Sequence, residues 1–425
     1  MRKKAMLFWL TGICFFLMLF ILYRYGNVKP KTFECIDAIG CVIIAPGEPV
    51  RMGMLQALSG KVAPLGIGQV RGMELALADR NHQILGHSVE LHTEDTGCTA
   101  EGGTVTAMKI VSDPKYIAIF GTTCSSSAAA AAKVMSEAGL VMISGNNSAP
   151  FLTSMNGKYA LNWQPGYFRT AQNEEHSGKA AAFFAFEKLG LRKAATVNDG
   201  DIYTSGLTDG FRHKFEEMGG KIVFASSVSK GDSNMEPLIA AVKNAGAEIL
   251  FFPLFQPEGN LVVREFRKHK DSELQKIFLM SDGALIEKTF LADMGKDTEG
   301  MYFVGPAHPP DSPEVQRLES AYREKYGESP YNTYYLNAYD AANLLFAAIE
   351  KTAFREDDGT LHIGRQALRD ELYGTRDFPG VTGLLACDQF GDCISPEFNI
   401  LRLDDAEKGI EGLQSNVLFT YGPVN

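Results

Sequence analysis

The sequence predicts an α/β fold built from two doubly wound units. Short apolar runs alternate with amphipathic stretches from residue 50 to residue 144, and again from residue 177 to residue 280. A repeat of about 25–30 residues is typical of βαβ units with a parallel sheet. The chain has 425 residues, of which 45% are hydrophobic and 22% charged, so it is long enough to bury two cores. This composition excludes a wholly disordered, collagen-like or multi-span membrane protein.

The N-terminal residues predict that the chain is exported. Basic residues 2–4 precede an apolar run, residues 5–23, that is interrupted by only one threonine and one glycine. The run is just long enough to span a bilayer, and no small-x-small cleavage site follows it. We therefore expect residues 1–26 to be an uncleaved membrane anchor. A cleaved signal peptide and a lipidated Cys14 are the alternatives, and each of the three would place the rest of the chain outside the cytoplasm.

The charge of the exported part argues against nucleic acid as a partner. The whole chain has a net charge of -10, and residues 1–31 carry six cations and no acid, which leaves -16 for the remainder. An acidic body lacks the basic surface that binds a phosphate backbone.

Cysteine usage also predicts an oxidising compartment. Apart from Cys14 there are six, an even number: Cys35, Cys41, Cys98, Cys124, Cys387 and Cys393. The first two and the last two lie six residues apart around a glycine, so each pair can close a short loop. The most local of the fifteen possible pairings then joins Cys98 to Cys124. No CxxC pair is present and the histidines are scattered, so we expect no metal site.

The elements of the first unit follow in regular order from Val50. Its predicted strands are 50–55, 89–92, 117–120 and 140–144, and its predicted helices are 68–80, 100–112 and 128–138. Gly66 opens a lone Gly-x-Gly before the first helix, which we interpret as a tight turn rather than a dinucleotide site. The alternation of strands and helices is interrupted at residues 155–170, which are rich in glycine, asparagine and aromatic residues.

The second unit resumes the same alternation. Its predicted helices are 177–189, 205–218, 235–245 and 261–269, and its predicted strands are 194–198, 221–225, 249–253 and 277–280. A second break, dense in proline, falls at residues 305–313. A long helix is predicted at residues 331–351, ahead of a charged loop at residues 355–359.

Residues suited to bind an anion follow two strands of the first unit. Residues 122–127 carry hydroxyl groups at every position except Cys124 and include Ser125, and residues 144–148 include Asn146 and Ser148. Hydroxyls and backbone N–H groups at a helix N-terminus favour an anion, and ligands bind at the carboxyl edge of open α/β sheets. Helix capping is the alternative, but capping explains one serine rather than a run of three.

The second unit offers an acid and aromatic side chains at the corresponding edge. Tyr203, Phe255 and Asp282 each follow a predicted strand. Asp282 could meet an ammonium group, and the two rings could pack on apolar atoms, although a helix cap and ordinary core packing explain the same residues. Anion donors on one unit and an acid on the other suit a zwitterion in a cleft. The chain contains no GxSxG, HExxH or GxxxxGK[ST] motif, so we expect neither an enzyme nor a bound cofactor.

These residues occur in segments that resemble the type I periplasmic binding proteins, in particular the branched-chain amino acid (Leu/Ile/Val) substrate-binding proteins of ABC importers. The segments that carry the resemblance are GTTCSSS 121–127, MISGNNSAPFLT 142–153, FRTAQNEEHSG 168–178, DGDIYTSGL 199–207, SDGA 281–284, TEGMYF 298–303 and YDAANLL 339–345. The resemblance implies two lobes joined by three crossings. We assign residues 50–170 plus 305–385 to lobe 1, residues 171–304 plus 386–425 to lobe 2, and residues 27–49 to a linker with a small disulfide loop.

The resemblance also implies a role for each site residue. It places the family's binding serine on Ser125, the contacts to an α-carboxylate on Asn146 and Ser148, the second-lobe aromatic on Tyr203, and the acid that meets the α-ammonium on Asp282. It implies the Cys98–Cys124 disulfide as well.

The chain departs from the family pattern at four positions. Leu65 stands in place of the first-lobe aromatic, Phe255 lacks a hydroxyl, Thr204 replaces a glycine, and Gly145 replaces a proline. These departures concern side-chain specificity rather than the amino acid anchor.

The resemblance predicts an exported, non-catalytic receptor that closes on an amino acid and delivers it to an ABC permease. The alternatives are a sensing ectodomain with a partner signalling protein, and a receptor for an amide, urea or carboxylate. The loop 388–392 carries carboxylates that could hold calcium, but it lacks regular ligand spacing, and a disulfide-closed turn is the simpler interpretation.

Overall fold

The computed structural model describes residues 33–269, 273–307 and 312–422. The predicted anchor, residues 1–26, and Cys14 lie outside the described residues. Residues 33–36 belong to a short N-terminal unit that ends at Ile36, and they contain no helix or strand. Residues Asp37–Asn425 form the folded body. Within it, the first unit is the part built on the first sheet, and the second unit is the part built on the second sheet. Within the described ranges, no helix combines the length and apolar character needed to cross a membrane.

The first sheet has six strands. In spatial order they are Gln83–Ile84, His87–Asp95, Val50–Gln56, Tyr116–Gly121, Val141–Ser144 and Tyr167–Arg169. All neighbouring pairs are parallel except the first, which is antiparallel. Val50–Gln56 lies at the centre and is buried along almost its whole length, because helices cover both faces of the sheet. This strand order reverses at the centre, so the sheet is doubly wound, as predicted.

The second sheet has seven strands. In spatial order they are Lys221–Ser227, Lys193–Asn198, Ile249–Phe251, Phe278–Asp282, Tyr302–Pro306, Phe398–Arg402 and Val417–Tyr421. The first five run parallel, and each of the last two pairs antiparallel with the strand before it. Strand Ile249–Phe251 is fully buried, and the aromatic rings of Phe211 and Phe251 stack on one face of the sheet at 4.8 Å.

Helices separate the strands of both sheets. On the first sheet they are Ala63–Asp79, Ala100–Val111, Ser125–Glu137, Pro313–Tyr326, Tyr334–Thr352 and Arg365–Tyr373. On the second sheet they are Glu175–Phe183, which continues as a π-helix to Lys188, Ile202–Glu217, Glu236–Asn244, Glu258–Lys268, Lys288–Met294 and Gly409–Ser415. The long helix Tyr334–Thr352 packs on Ala63–Asp79.

Gly66 allows the first helix to approach the strand before it closely. A Cβ atom at this position would lie 1.9 Å from the carbonyl oxygen of Ala57 and 2.9 Å from the hydroxyl of Thr123. Gly66 and Gly68 lie within helix Ala63–Asp79 rather than in a turn before it, so the interpretation as a tight turn is wrong, and Gly66 serves the close packing of the helix.

The region predicted as a linker also contains regular structure. Strand Cys41–Ile44 pairs antiparallel with Leu361–Gly364, which in turn pairs with Phe354–Arg355. The apolar side chains of Val42 and Ile44 are buried in the core of the first sheet. Residues 27–49 are thus in part an element of the folded body, because alternate residues of the strand face that core.

The chain passes between the two sheets three times: after Arg169, after Pro306 and before Phe398. This agrees with the architecture that the resemblance implied, whereas the boundaries assigned to the two lobes stay a prediction. Buried Arg169 ties the first and third crossings together, because its Nε donates to Asp392 Oδ1 at 2.6 Å. Its Nη1 also donates to the carbonyl of Ala149 at 2.8 Å. Asp392 is therefore engaged by protein, and loop 388–392 closes as a turn.

Two of the predicted disulfide pairings are confirmed. Cys98 is joined to Cys124 across 26 residues, and Cys387 to Cys393 across six. The first bond lies beside the start of helix Ser125–Glu137, and the second closes the turn that carries Asp392. The Cys35–Cys41 bond stays a prediction.

Candidate functional site

A cleft between the carboxyl edges of the two sheets is lined by residues from both. The lining residues are Leu65, Thr123, Ser125, Asn146, Ser148, Tyr203, Phe255, Gly283, Ala284 and Tyr334. The space that no atom fills, counted with the solvent at its mouth, is about 330 Å³. Because this figure includes open solvent, the enclosed part of the cleft is smaller still, and only a small solute fits between the two sheets.

Three successive serines at the start of helix Ser125–Glu137 have three different surroundings. Ser125 lines the cleft, and its Oγ accepts a hydrogen bond from the N–H of Ala149 at 3.3 Å, which leaves its own hydrogen to donate. Ser126 donates to Asp201 Oδ2, at the start of a helix on the second sheet, at 2.7 Å. Ser127 points back into the first unit and donates to the carbonyl of Thr99 at 2.8 Å. No side chain caps this helix, so its first N–H groups stay available to an anion.

The loop after strand Val141–Ser144 is held in place by its own side chains. The Oγ of Ser144 accepts from the N–H groups of Asn146 and Asn147 at 3.1 and 3.0 Å. The amide of Asn146 donates to the carbonyl of Thr123 at 2.9 Å, which uses one of its two amide hydrogens. Asn146 and Ser148 are thereby fixed at the cleft with little freedom to move.

Gly145 explains one departure from the family pattern. A Cβ atom at this position would lie 2.5 Å from the backbone nitrogen of Ala338 and 2.6 Å from its Cα. Helix Tyr334–Thr352 therefore approaches the loop so closely that no side chain fits.

The apolar part of the lining comes from both units. The rings of Tyr203 and Phe255 lie 5.5 Å apart on the second unit, and Leu65 faces the cleft from the first. Thr204, another departure from the family, donates to Asp199 Oδ1 at 2.6 Å and so fixes the turn before Tyr203.

Asp282 lies at the end of its strand, directly before the lining residues Gly283 and Ala284. It is fully buried and is not itself part of the lining. Its Oδ2 accepts from the hydroxyl of Tyr203 and from the N–H of Ala284 at 3.2 Å. Burial raises the pKa of Asp282, and the hydrogen bond from Tyr203 opposes that rise.

Glu174 is the residue at this site that the sequence did not reveal. It is 1% exposed, it stands immediately before helix Glu175–Phe183, and its N–H donates to the carbonyl of Ser148 at 2.9 Å. Both of its carboxylate oxygens are buried without a hydrogen-bond partner among the described residues. Burial and the nearby charge of Asp282 raise the pKa of Glu174, whereas the hydroxyls of Tyr203 and Ser148 lie near enough to oppose that rise.

The structure brings together six of the seven predicted binding residues as lining and places the seventh, Asp282, one side chain behind them. Besides Glu174, the sequence missed Tyr334 at the start of helix Tyr334–Thr352, and the lining residues Thr123, Gly283 and Ala284. Glu174 stands beside a second acid ahead of a helix, a pattern that ordinary helix starts share. Tyr334 belongs to a run of aromatic residues whose buried members look the same in sequence. No sequence signal separated either residue from its neighbours.

A family model and individual proteins match most of this chain in sequence. The family model described as "Periplasmic binding protein" matches residues 49–393. The Leu/Ile/Val-binding protein homolog 3 of Brucella melitensis is 26% identical over 367 residues, which cover 86% of this chain and 94% of that protein.

Two solved structures share the fold. The leucine-binding protein of Thermotoga maritima superposes with a TM-score of 0.72 at 23% identity, over 84% of this chain and 96% of its own. A solute-binding protein of an ABC transporter from R. palustris, solved in complex with benzoate, gives a TM-score of 0.69 at 21% identity, over 84% of this chain and 93% of its own.

Proposed function

Because the chain belongs to the periplasmic binding protein family, we propose that it is an extracytoplasmic solute-binding receptor of an ABC importer and that its ligand is an amino acid. The observation that carries the proposal is the cleft, whose lining comes from the strand ends of both sheets. A solute that touches both units favours the closed arrangement by the free energy of those two-sided contacts.

The first unit supports a carboxylate at one end of the cleft. The uncapped start of helix Ser125–Glu137, the donor hydrogen of Ser125, and the second amide hydrogen of Asn146 converge there. A carboxylate at this place would gain hydrogen bonds and the favourable field of the helix. The second unit supplies an acidic group instead, the carboxyl group of Asp282, which accepts a hydrogen bond from the hydroxyl of Tyr203.

The relatives leave two solute classes to compare. The Brucella protein is named for leucine, isoleucine and valine, whereas the R. palustris structure contains benzoate, which has no amino group. The buried acid favours the amino acid, because a lone carboxylate would bring a second negative charge towards Asp282 without a cation. An amide or urea ligand would also leave that charge uncompensated.

The apolar run, residues 5–23, supports the part of the proposal that concerns location. It would hold the receptor at the outer face of a membrane, beside the permease that receives the solute. A role as a sensing ectodomain with a signalling partner would use the same cleft and the same anchor, and we place transport first because of the family. We propose no catalytic role.

A ligand screen tests the proposal directly. The protein, exported to an oxidising compartment and stripped of bound solute, is heated with branched, aromatic, polar and acidic amino acids, amides, urea and simple carboxylates. A ligand at 100 times its dissociation constant should add ~2.7 kcal/mol to the free energy of unfolding, which shifts the melting temperature by a few degrees. We expect the shift from one class of amino acid. No shift from any compound would contradict the proposal.

Two serine variants test whether the ligand occupies the cleft. Ser125→Ala should weaken the amino acid roughly 5- to 10-fold, because it removes one hydrogen bond to the ligand. Ser127→Ala is the matched control, since Ser127 lies on the same helical turn and bonds only within the first unit. Equal affinities for the two variants would place the ligand elsewhere.

A further inference from the structure

We propose that Glu174 is a ligand-binding residue and that it forms, with Asp282, a two-carboxylate site for the amino group of the solute. The inference rests on the proposed function and deepens it, because it makes a cationic nitrogen the feature that every good ligand must carry. A benzoate-like carboxylate and an uncharged amide are thereby excluded as ligands of this chain.

The first argument is the state of the Glu174 carboxylate. Both oxygens are buried and neither accepts a hydrogen bond from the described residues, although the backbone N–H of the same residue is bonded to Ser148. A buried carboxylate without donors is costly, so a protein retains one where a ligand or another partner completes it. The other acid of this segment, Glu175, shows the usual solution, an ion pair with Lys179 at 2.5 Å.

The second argument is the position of Glu174 directly behind the cleft. The hydroxyls of Ser148, Tyr203 and Tyr334 are the polar groups near enough to affect its charge, and all three residues line the cleft. Asp282 lies behind the same Tyr203. A nitrogen entering between these hydroxyls would meet both carboxylates at once.

The third argument is the charge of the surroundings. None of the ten described lining residues is a lysine, an arginine or a histidine. Lys230 lies 6.0 Å from the ring of Phe255, but its ammonium is 3.7 Å from the carboxylate of Asp201 and is paired with it. Arg169 is near Glu174 as well, but its guanidinium is engaged by Asp392, Thr153 and the carbonyls of the loop around Ala149. Without a ligand, a bound proton is what neutralises the pair, and a cationic nitrogen of the solute would replace that proton.

Matched ligands test the requirement for a cation. Leucine, its analogue without the amino group (isocaproate), and its analogue without the carboxylate (isopentylamine) are titrated calorimetrically into the protein, with the corresponding phenylalanine and alanine sets. We expect measurable binding from amino acids and from the amine of the preferred side chain, and none from the acids alone. Equal binding of isocaproate and leucine would overturn the inference while the receptor function stands. If no compound of the three sets binds and the wider amino acid screen is also silent, the proposed function fails and the inference fails with it.

A pair of variants tests Glu174 itself. Glu174→Gln should weaken the preferred amino acid roughly 10- to 100-fold, because a charge-assisted contact is lost. Glu175→Gln is the matched control, since Glu175 is the adjacent acid and pairs with Lys179, and its affinity should equal that of the unaltered protein. Unchanged affinity in Glu174→Gln would show that Glu174 is structural only.

The pH profile separates binding from mere support of the fold. The groups that face Glu174 are Asp282, Tyr203, Tyr334 and Arg169. The amino group binds the ionised carboxylates, so affinity for the amino acid should rise from pH 5 to pH 8 as the pair loses its proton. Glu174→Gln should flatten this rise, whereas Glu175→Gln should keep it. An identical profile in all three proteins would count against the two-carboxylate site.

Discussion

At the scale of single residues, the cleft combines groups with opposite effects on stability. Ser125, Asn146 and Ser148 are held by hydrogen bonds that the fold itself uses. Glu174, in contrast, is buried with both carboxylate oxygens lacking a hydrogen-bond partner among the described residues, and the nearby hydroxyls offset only part of the cost of burial. Binding sites commonly keep such unfavourable groups, because the ligand rather than the fold completes them.

The pKa of Glu174 makes this conflict measurable in the ligand-free protein. Its folded value lies above the unfolded one because of burial and the charge of Asp282, so the folded state binds more protons and loses stability as the pH rises. Glu174→Gln removes that loss. We expect the variant to be more stable than the unaltered protein at pH 8, by about 1–3 kcal/mol, and the difference to vanish near pH 4.5.

Urea unfolding at both pH values measures the difference, with Glu175→Gln as control. A variant less stable than the unaltered protein at pH 8 would mean that Glu174 has a stabilising partner. Because Glu174→Gln should also weaken binding of the amino acid, the stability and the affinity of this variant should change in opposite directions.

At the scale of the elements, the sequence located the core of four helices but missed their first turns. Helix Ala63–Asp79 begins five residues before its predicted start, Ser125–Glu137 three residues before, and both Ile202–Glu217 and Glu258–Lys268 three residues before. The apolar periodicity that predicts a helix exists only where the helix covers its sheet. The first turns of Ala63–Asp79, Ser125–Glu137 and Ile202–Glu217 contribute to the cleft, and the polar or small residues among them look like loop.

Short or late elements escaped prediction for another reason. Strands Tyr167–Arg169 and Phe398–Arg402 lie outside the two stretches in which apolar runs and amphipathic segments alternate regularly. Helix Pro313–Tyr326 has only two buried residues, Leu318 and Tyr322, so its apolar stripe is too sparse to recognise. The same reason applies to the site residues. Those that follow a buried strand could be predicted from the sequence, whereas Glu174, which lies at a crossing between the sheets, could not.

The hydrogen bond between Ser126 and Asp201 joins two such first turns across the cleft. It should stabilise the closed arrangement by about 1 kcal/mol, because its acceptor is a buried carboxylate. Ser126→Ala should therefore weaken the amino acid roughly fivefold. Calorimetric titration gives the affinity, and Ser127→Ala should show no loss. A Ser126→Ala protein with unaltered affinity would mean that the bond makes no difference to closure.

At the scale of the whole molecule, the three crossings and the covalent links hold the two sheets in a common frame. Arg169 binds the first crossing to the turn closed by Cys387–Cys393, so motion between the sheets must leave this junction intact. The Cys98–Cys124 bond lies on the first unit, beside the strand end that carries Ser125. One disulfide thus lies beside the cleft and the other beside the junction of the crossings.

Loop length predicts how much each disulfide contributes. In the chain-entropy account, a separation of 26 residues gives roughly 3–4 kcal/mol and a separation of six gives roughly 2 kcal/mol. Replacing both cysteines of Cys98–Cys124 by serine should lower the melting temperature more than the same change at Cys387–Cys393. Thermal unfolding of the two double variants measures this, and the reverse order would show that local packing outweighs chain entropy.

The position of the lining residues relative to the apolar cores has a consequence for the evolution of the binding specificity. Most lining side chains stand on loops and first helical turns, whereas the apolar cores lie mainly along the strands and the middle of the helices, and only Tyr203, Phe255 and Ala284 of the described lining belong to both. A few codon changes at the lining can thus give a duplicated gene a new solute while the copy inherits an intact scaffold. The same division lets an engineer redirect the receptor towards a chosen metabolite and use its closure as an optical reporter.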